Sequence, residues 1–263
     1  MTRIDAAFAR LKRDHKPGLV AYITAGDPDL ARTSELLRAL PAAGADVLEV
    51  GVPFSDPMAD GPIIQRASER ALRSGATLGK VFDMLARERA AVDAPIVLFT
   101  YANPIERMGY EAFVARAADA GVDGVLVLDL PIDEAAPLAE SLRARGIAPI
   151  FLVSPTTPPA RVRRAGELGA GFLYAVSRLG VTGVHAALSD EAGDVVSAIR
   201  GSSSLPVALG FGISKPEHVR AACAIAEAAV VGSGLVNVIA DAGARDDLVR
   251  RACEHVRWLK GPA

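Results

Sequence analysis

Eight short stretches of almost uninterrupted apolar residues recur along the chain. They are residues 19–26 (LVAYITAG), 46–52 (DVLEVGV), 95–101 (PIVLFTY), 123–130 (DGVLVLDL), 147–154 (IAPIFLVS), 171–177 (GFLYAVS), 206–212 (PVALGFG) and 228–234 (AAVVGSG). Runs of this length without strict alternation mark parallel strands covered on both faces. Between them the apolar positions fall three and four apart, the spacing of helices. In EAFVARAADAG, Phe113, Val114 and Ala117 share a face and Gly121 is placed to stop the helix. In PEHVRAACAIAE, Pro216 suits a first helical position. The first residues carry Ile4, Phe8 and Leu11 at helical spacing and predict an additional amphipathic helix.

Strand alternating with helix implies βαβ units and a parallel sheet. Eight such units in about 250 residues is the size of a (β/α)8 TIM barrel, here with an extra N-terminal helix. A doubly wound open sheet is the rival, but the first strand ends in AGDPD rather than in a GxGxxG turn. The chain shows no low-complexity linker, so residues 1–263 read as one barrel domain. The connections at 53–94 and 178–205 look overlong. Loops that follow strands build the active sites of these barrels, so these two are the first places to search.

Composition narrows the function. Of 263 residues, 51% are hydrophobic and 23% charged, which is globular rather than disordered. A net charge of −2 removes the basic footprint of a nucleic-acid binder. Cys223 and Cys253 are too few for a disulfide framework and read as inert core thiols of a reducing compartment. The charged N-terminus lacks a signal peptide's apolar region, and the apolar stretch 228–240 is too short to span a bilayer. A cytoplasmic location is expected.

The candidate chemistry lies at strand ends. Glu49 is an acid inside an apolar strand, on the same side as Val47 and Gly51 and opposite Leu48 and Val50. Pointing inward, it would be desolvated and its pKa raised toward the range of a general acid/base. A structural carboxylate bonded to loop amides is the equal alternative. The next loop, PFSDPMADGP, holds Asp56 and Asp60 between ring-restricted prolines. Asp56 reads first as a turn former, while for Asp60 turn and chemistry stand level. Across the barrel, glycines cluster after strands 6, 7 and 8: Gly180 and Gly183, Gly210 and Gly212, Gly232 and Gly234. Such turns bring backbone N–H groups and helix N-termini to a phosphate; simple tight turns are the alternative.

The remaining residue types remove other chemistries. None of Lys12, Lys16, Lys80, Lys215 and Lys260 falls in a predicted strand, which argues against a Schiff-base aldolase. The four histidines (His15, His185, His218, His255) are scattered, and neither HExxH nor a Cys pair at metal spacing occurs. No Ser sits in a GxSxG elbow. Carboxylate acid/base chemistry on a phosphorylated substrate remains.

The stretch LEVGVPFSDPMADGPIIQRASERAL closely resembles the signature segment of the tryptophan synthase alpha chain family. AYITAGDPD, YANPI, DGVLVLDLP, SRLGVTG, GFGIS and GSGLV match in the same order, so the resemblance covers essentially the whole chain. It implies a lyase that cleaves indole-3-glycerol phosphate to indole and glyceraldehyde 3-phosphate without Schiff base or metal. It implies Glu49 as the catalytic acid/base and Asp60 as the second catalytic carboxylate. Phosphate binding is carried over to Gly183, Gly212, Gly232, Ser233 and Gly234. An indole pocket is carried over to Tyr22, Phe99, Leu126, Tyr174 and Phe211, each of which also suits barrel core; Tyr22 stands where Phe is expected. Arg178 and Thr182, with Tyr174, would order the site when the loop after strand 6 closes.

The resemblance also implies a beta subunit that carries pyridoxal phosphate and receives indole, in an α2β2 assembly. No cofactor is expected in this chain. Contacts to the partner are expected around Pro53–Met58, the YANPI loop, and Asp129 and Pro131. The alternatives are a catalytically idle, phosphate-binding activator subunit, or another phosphate-binding barrel such as indole-glycerol-phosphate synthase or a phosphoribosyl isomerase. The missing strand-end Lys argues against the synthase. The isomerase would need carboxylates matched in two half-barrels.

Overall fold

A computed structural model describes residues 1–176, 190–210 and 212–261. Eight parallel strands close into a barrel in sequence order: β1 (Gly18–Thr24), β2 (Val47–Gly51), β3 (Ile96–Thr100), β4 (Gly124–Val127), β5 (Ala148–Val153), β6 (Leu173–Val176), β7 (Val207–Gly210) and β8 (Ala228–Val231). β8 returns to pair with β1, with Val20 opposite Val230. The helices among the described residues are α1 (Arg3–Asp14), α2 (Leu30–Ala43), α3 (Pro62–Arg73), α4 (Leu78–Glu88), α5 (Ala102–Met108), α6 (Tyr110–Asp119), α7 (Ala136–Ala144), α8 (Pro159–Leu168), α9 (Asp190–Arg200), α10 (Pro216–Ile225), α11 (Ser233–Ala242) and α12 (Leu248–Lys260). The (β/α)8 barrel with its extra N-terminal helix is as the sequence pattern predicts.

The strands are shorter at their C-terminal ends than the apolar runs. β4 ends at Val127, not 130, and β8 at Val231, not 234. There the chain leaves the ladder to form the loops of one barrel end, so apolar sequence outlasts strand pairing. The segment between β2 and β3 is not one long loop. It carries α3 and α4, the latter capped by the Thr77 side chain on Lys80 N–H. Of the second long connection, residues 177–189 lie outside the description and α9 fills most of the rest.

Two apolar layers hold the fold. Leu48 and Val50 point outward into the layer between strands and helices, beside Leu36, Leu37 and Leu40 of α2. Val20, Val47, Val97, Leu126, Ile150, Phe172 and Val230 point inward and fill the barrel. α1 closes the N-terminal end. Its first turn is fixed by reciprocal Thr2 and Asp5 capping bonds, and His15 ends it in a left-handed conformation (φ 49°). Ile4, Phe8 and Leu11 then join the interior layer, with Phe8 and Phe172 ring centroids 5.4 Å apart. α1 thus fills the barrel at the end where the strands begin. None of the described helices is long and apolar enough to cross a membrane.

Candidate active site

On β2 the inward alternation that buries Val47 also buries Glu49, which is 1% exposed. Register places Glu49 between Tyr22 on β1 and Val97 on β3. Its Oε1 is buried and has no hydrogen-bond partner. An ionised carboxylate in that position would lack both water and counter-charge, so burial first, and the nearby Asp60 second, push its pKa up to about 8. The proton-bearing form is thus the resting form at neutral pH. The structural alternative, a carboxylate satisfied by loop amides, does not describe an orphaned oxygen.

Asp60 ends the loop that follows β2, immediately before Gly61 and α3. Its Oδ2 accepts a 3.0 Å hydrogen bond from the Tyr101 hydroxyl, which itself accepts from the Ala59 N–H at 3.1 Å. Burial raises its pKa to about 6 while the Tyr101 bond opposes the rise. At neutral pH Asp60 is therefore mostly ionised and Glu49 mostly protonated. The two carboxyls are close enough to interact, and Glu49 is the more strongly shifted of the pair. Asp56 is exposed; its carboxylate accepts from the neighbouring Ser55 hydroxyl and its carbonyl from the Met58 N–H at 2.8 Å, the turn-type role first read for it.

Aromatic rings wall the carboxyls. Tyr22 and Phe99 meet edge to face with centroids 5.2 Å apart. The buried Tyr22 hydroxyl finds Thr24 Oγ1 at 3.3 Å, the partner that a buried phenol needs. Two glycines make room for the phenols. A Cβ at Gly51 would lie 2.1 Å from the Tyr22 oxygen, and one at Gly210 would lie 2.6 Å from the Tyr174 oxygen. Both phenols are held far in their neutral form, by burial first; Asp60 comes next at Tyr22 and Glu49 at Tyr174. Leu126 lies deeper, 1% exposed within the interior layer, while Leu128 on the same face is only partly buried.

The glycine-rich turns lie at the same barrel end. Gly212 has positive φ (72°). Gly232 caps α11 without a side chain, so the first N–H groups of that ten-residue helix, beginning at Ser233, have no side-chain cap. A Cβ at Gly234 would sit 3.3 Å from His255 Nε2, a buried nitrogen without a partner, and 3.9 Å from Ser214 Cα. Gly183, Phe211, Arg178 and Thr182 lie outside the described residues. Lys215, at the N-cap of α10, is exposed. Sequence reading missed three contributors. Tyr101 carried a signal, since it follows Phe99 in the inward alternation of β3. Gln65 Nε2 donates to the Asp60 carbonyl at 2.9 Å, a local contact at the start of α3, and His255 approaches Gly234 through the packing of α12 on α11; neither carried a signal.

The family model described as tryptophan synthase alpha chain matches residues 8–260. The chain belongs to the tryptophan synthase alpha chain family. The tryptophan synthase alpha chain of Burkholderia mallei is 51% identical over 244 residues, covering 92% of this chain and 90% of that one. The Caulobacter vibrioides alpha chain is 50% identical over 241 residues, covering 91% and 88%. Among solved structures, tryptophan synthase subunit alpha from Legionella pneumophila superposes with a TM-score of 0.90 at 37% identity, covering 99% of this chain and 97% of that one. The tryptophan synthase complex from Pyrococcus furiosus gives a TM-score of 0.85 at 38% identity, covering 93% and 98%. As a family member the chain is a carbon–carbon lyase of tryptophan biosynthesis that cleaves indole-3-glycerol phosphate. Members of the family pair with a beta subunit.

Proposed function

We propose that Glu49 and Asp60 carry this cleavage, with Glu49 as proton carrier and Asp60 as the anion facing the indole nitrogen. It is supported by the buried Glu49 Oε1 without a hydrogen-bond partner, close enough to Asp60 for the two carboxyls to interact, with Asp60 held by the Tyr101 hydroxyl. The bond between the ring and the glycerol chain breaks only if the ring accepts a proton at that carbon. Protonated Glu49 supplies it and becomes a carboxylate. Positive character then develops on the ring N–H, and ionised Asp60 accepts its hydrogen bond. The Glu49 carboxylate next removes the proton of the adjacent chain hydroxyl. That oxygen becomes the aldehyde carbonyl, the bonding pair returns to the ring, and Glu49 ends as it began. Positioned proton transfer of this kind contributes about 10²–10⁴-fold.

In this reading Tyr22, Phe99, Leu126, Tyr174 and Phe211 hold the indole ring. The turns at Gly183, Gly212 and Gly232–Gly234 hold the phosphate, with α11 pointing its N-terminus at it. Arg178 and Thr182 belong to the closing loop. The chain needs no cofactor of its own, because two carboxyls supply every proton transfer; pyridoxal phosphate belongs to the beta subunit. An α2β2 assembly is the expected form, in the cytoplasm. The proposed contact loops suit a partner: Met58 is 90% exposed, and Asp129 Oδ1 accepts the Ala102 N–H at 2.7 Å, joining two of the loops.

Indole release by purified Glu49→Gln and Asp60→Asn, alone and with the beta subunit, tests the assignment. Each is expected to lose most turnover and keep phosphate-ligand affinity. Near-normal turnover of Glu49→Gln would overturn the assignment of Glu49 as the proton carrier.

A further inference from the structure

Asp60 sits in a loop, yet its task in the reading above demands a fixed position. Its own helix junction gives little help. Gly61, the N-cap of α3, has no side chain with which to tie the loop to the helix. A side chain one turn into α3 takes over. Gln65 Nε2 donates to the backbone carbonyl of Asp60 at 2.9 Å and to that of Pro57 at 3.4 Å. These two residues are also the ends of the turn closed by Asp60 N–H on Pro57 O at 3.1 Å. One amide group therefore spans both ends of the segment that carries the carboxyl.

The tie is useful only if α3 is itself fixed, and it is. At its far end Arg70 makes a two-pronged bond to Asp27, Nε to Oδ1 at 2.8 Å and Nη2 to Oδ2 at 2.7 Å. Asp27 is 3% exposed, just beyond β1. Ser74 Oγ adds a 2.9 Å bond to Gly26 O. Ile64 and Ala67 pack against Tyr22 and Val236. α3 is thus a rigid reference, and Gln65 refers the Asp60 backbone to it. Tyr101 then orients the carboxyl from the other side.

We infer that Gln65 is a positioning residue for Asp60, holding the Pro57–Asp60 turn against α3 so that the carboxyl meets the indole nitrogen. This rests on the catalytic role proposed for Asp60. A misplacement of about 1 Å costs on the order of 100-fold in rate.

The test is steady-state cleavage with the beta subunit present, together with thermal melts. Gln65→Met keeps length but loses both donors. It is expected to lower kcat by about 10- to 100-fold, with KM changed by less than about threefold. Gln65→Glu keeps shape but turns an acceptor toward two carbonyls, and is expected to be slower than Gln65→Met; it also serves if the Met variant does not fold. The double variant Asp60→Asn/Gln65→Met is expected to match Asp60→Asn alone within about twofold, because a positioning residue has nothing left to position. A purely structural role would multiply the two losses. Unchanged kcat in Gln65→Met, a Gln65→Glu as fast as the parent, or multiplicative losses would each overturn the inference. Normal turnover of Asp60→Asn with Gln65 intact would instead remove the reading on which it rests.

Discussion

Glu49 stores a measurable cost in the folded state. Its carboxyl ionises near 4.5 in the open chain and near 8 when folded, because burial strips it of water and Asp60 stands close. Between these values the unfolded chain ionises the group while the folded chain keeps its proton. Unfolding therefore releases a proton, and stability falls with rising pH through this window. Each pH unit is worth about 1.36 kcal/mol. The side chain thus costs about 3 kcal/mol at pH 7 and on the order of 4–5 kcal/mol above pH 8. Glu49→Gln removes the titration and keeps the shape. Its amide leaves donors unpaired, at about 1–3 kcal/mol, but that offset does not depend on pH. The stability of Glu49→Gln relative to the parent is therefore expected to rise steadily between pH 5 and 8 and level off beyond. Urea unfolding of both proteins at unit pH steps from 5 to 9 reads the difference directly. A difference constant within about 1 kcal/mol, where the folded pKa predicts a rise several times larger, would refute a buried, proton-bearing Glu49.

Further outcomes follow from the same geometry. The free enzyme needs Asp60 ionised and Glu49 protonated, so kcat/KM against pH is expected to be bell-shaped, with limbs near 6 and 8; Tyr101→Phe removes the bond that holds Asp60 down, and its acidic limb should move upward. Gly51→Ala drives a methyl into the Tyr22 ring, 2.1 Å from its oxygen; cleavage should collapse and stability fall by about 1–3 kcal/mol in a denaturant melt. Phe8→Ala empties the N-terminal plug beneath Phe172; unfolding should cost about 3–5 kcal/mol less while KM stays near that of the parent.

The barrel was legible in the sequence because buried parallel strands must be apolar on both faces, and eight such runs leave few alternatives. Glu49 was legible for the same reason: an acid in an apolar strand breaks the pattern, and alternation with Val47 gives its direction. Asp60 was weaker, since one loop carboxyl among prolines resembles another. The sequence already ranked it above Asp56; what the structure adds is the Tyr101 bond, a contact across 41 residues of sequence. Strand ends were read too long because apolar residues continue into the loops of the site, where they face a pocket rather than a ladder.

Local pattern by itself determined the element order, the inward position of Glu49, the plugging helix and the glycine-rich turns, since each follows from short-range periodicity and backbone sterics. Only the closed barrel decided the rest. It buried Glu49 Oε1 without a partner, brought Asp60 near enough to raise its pKa, joined Tyr101 to Asp60, and set Tyr22 over Gly51 and Tyr174 over Gly210. These are relations between groups on different elements, and desolvation and contact distance come into being only when the elements pack.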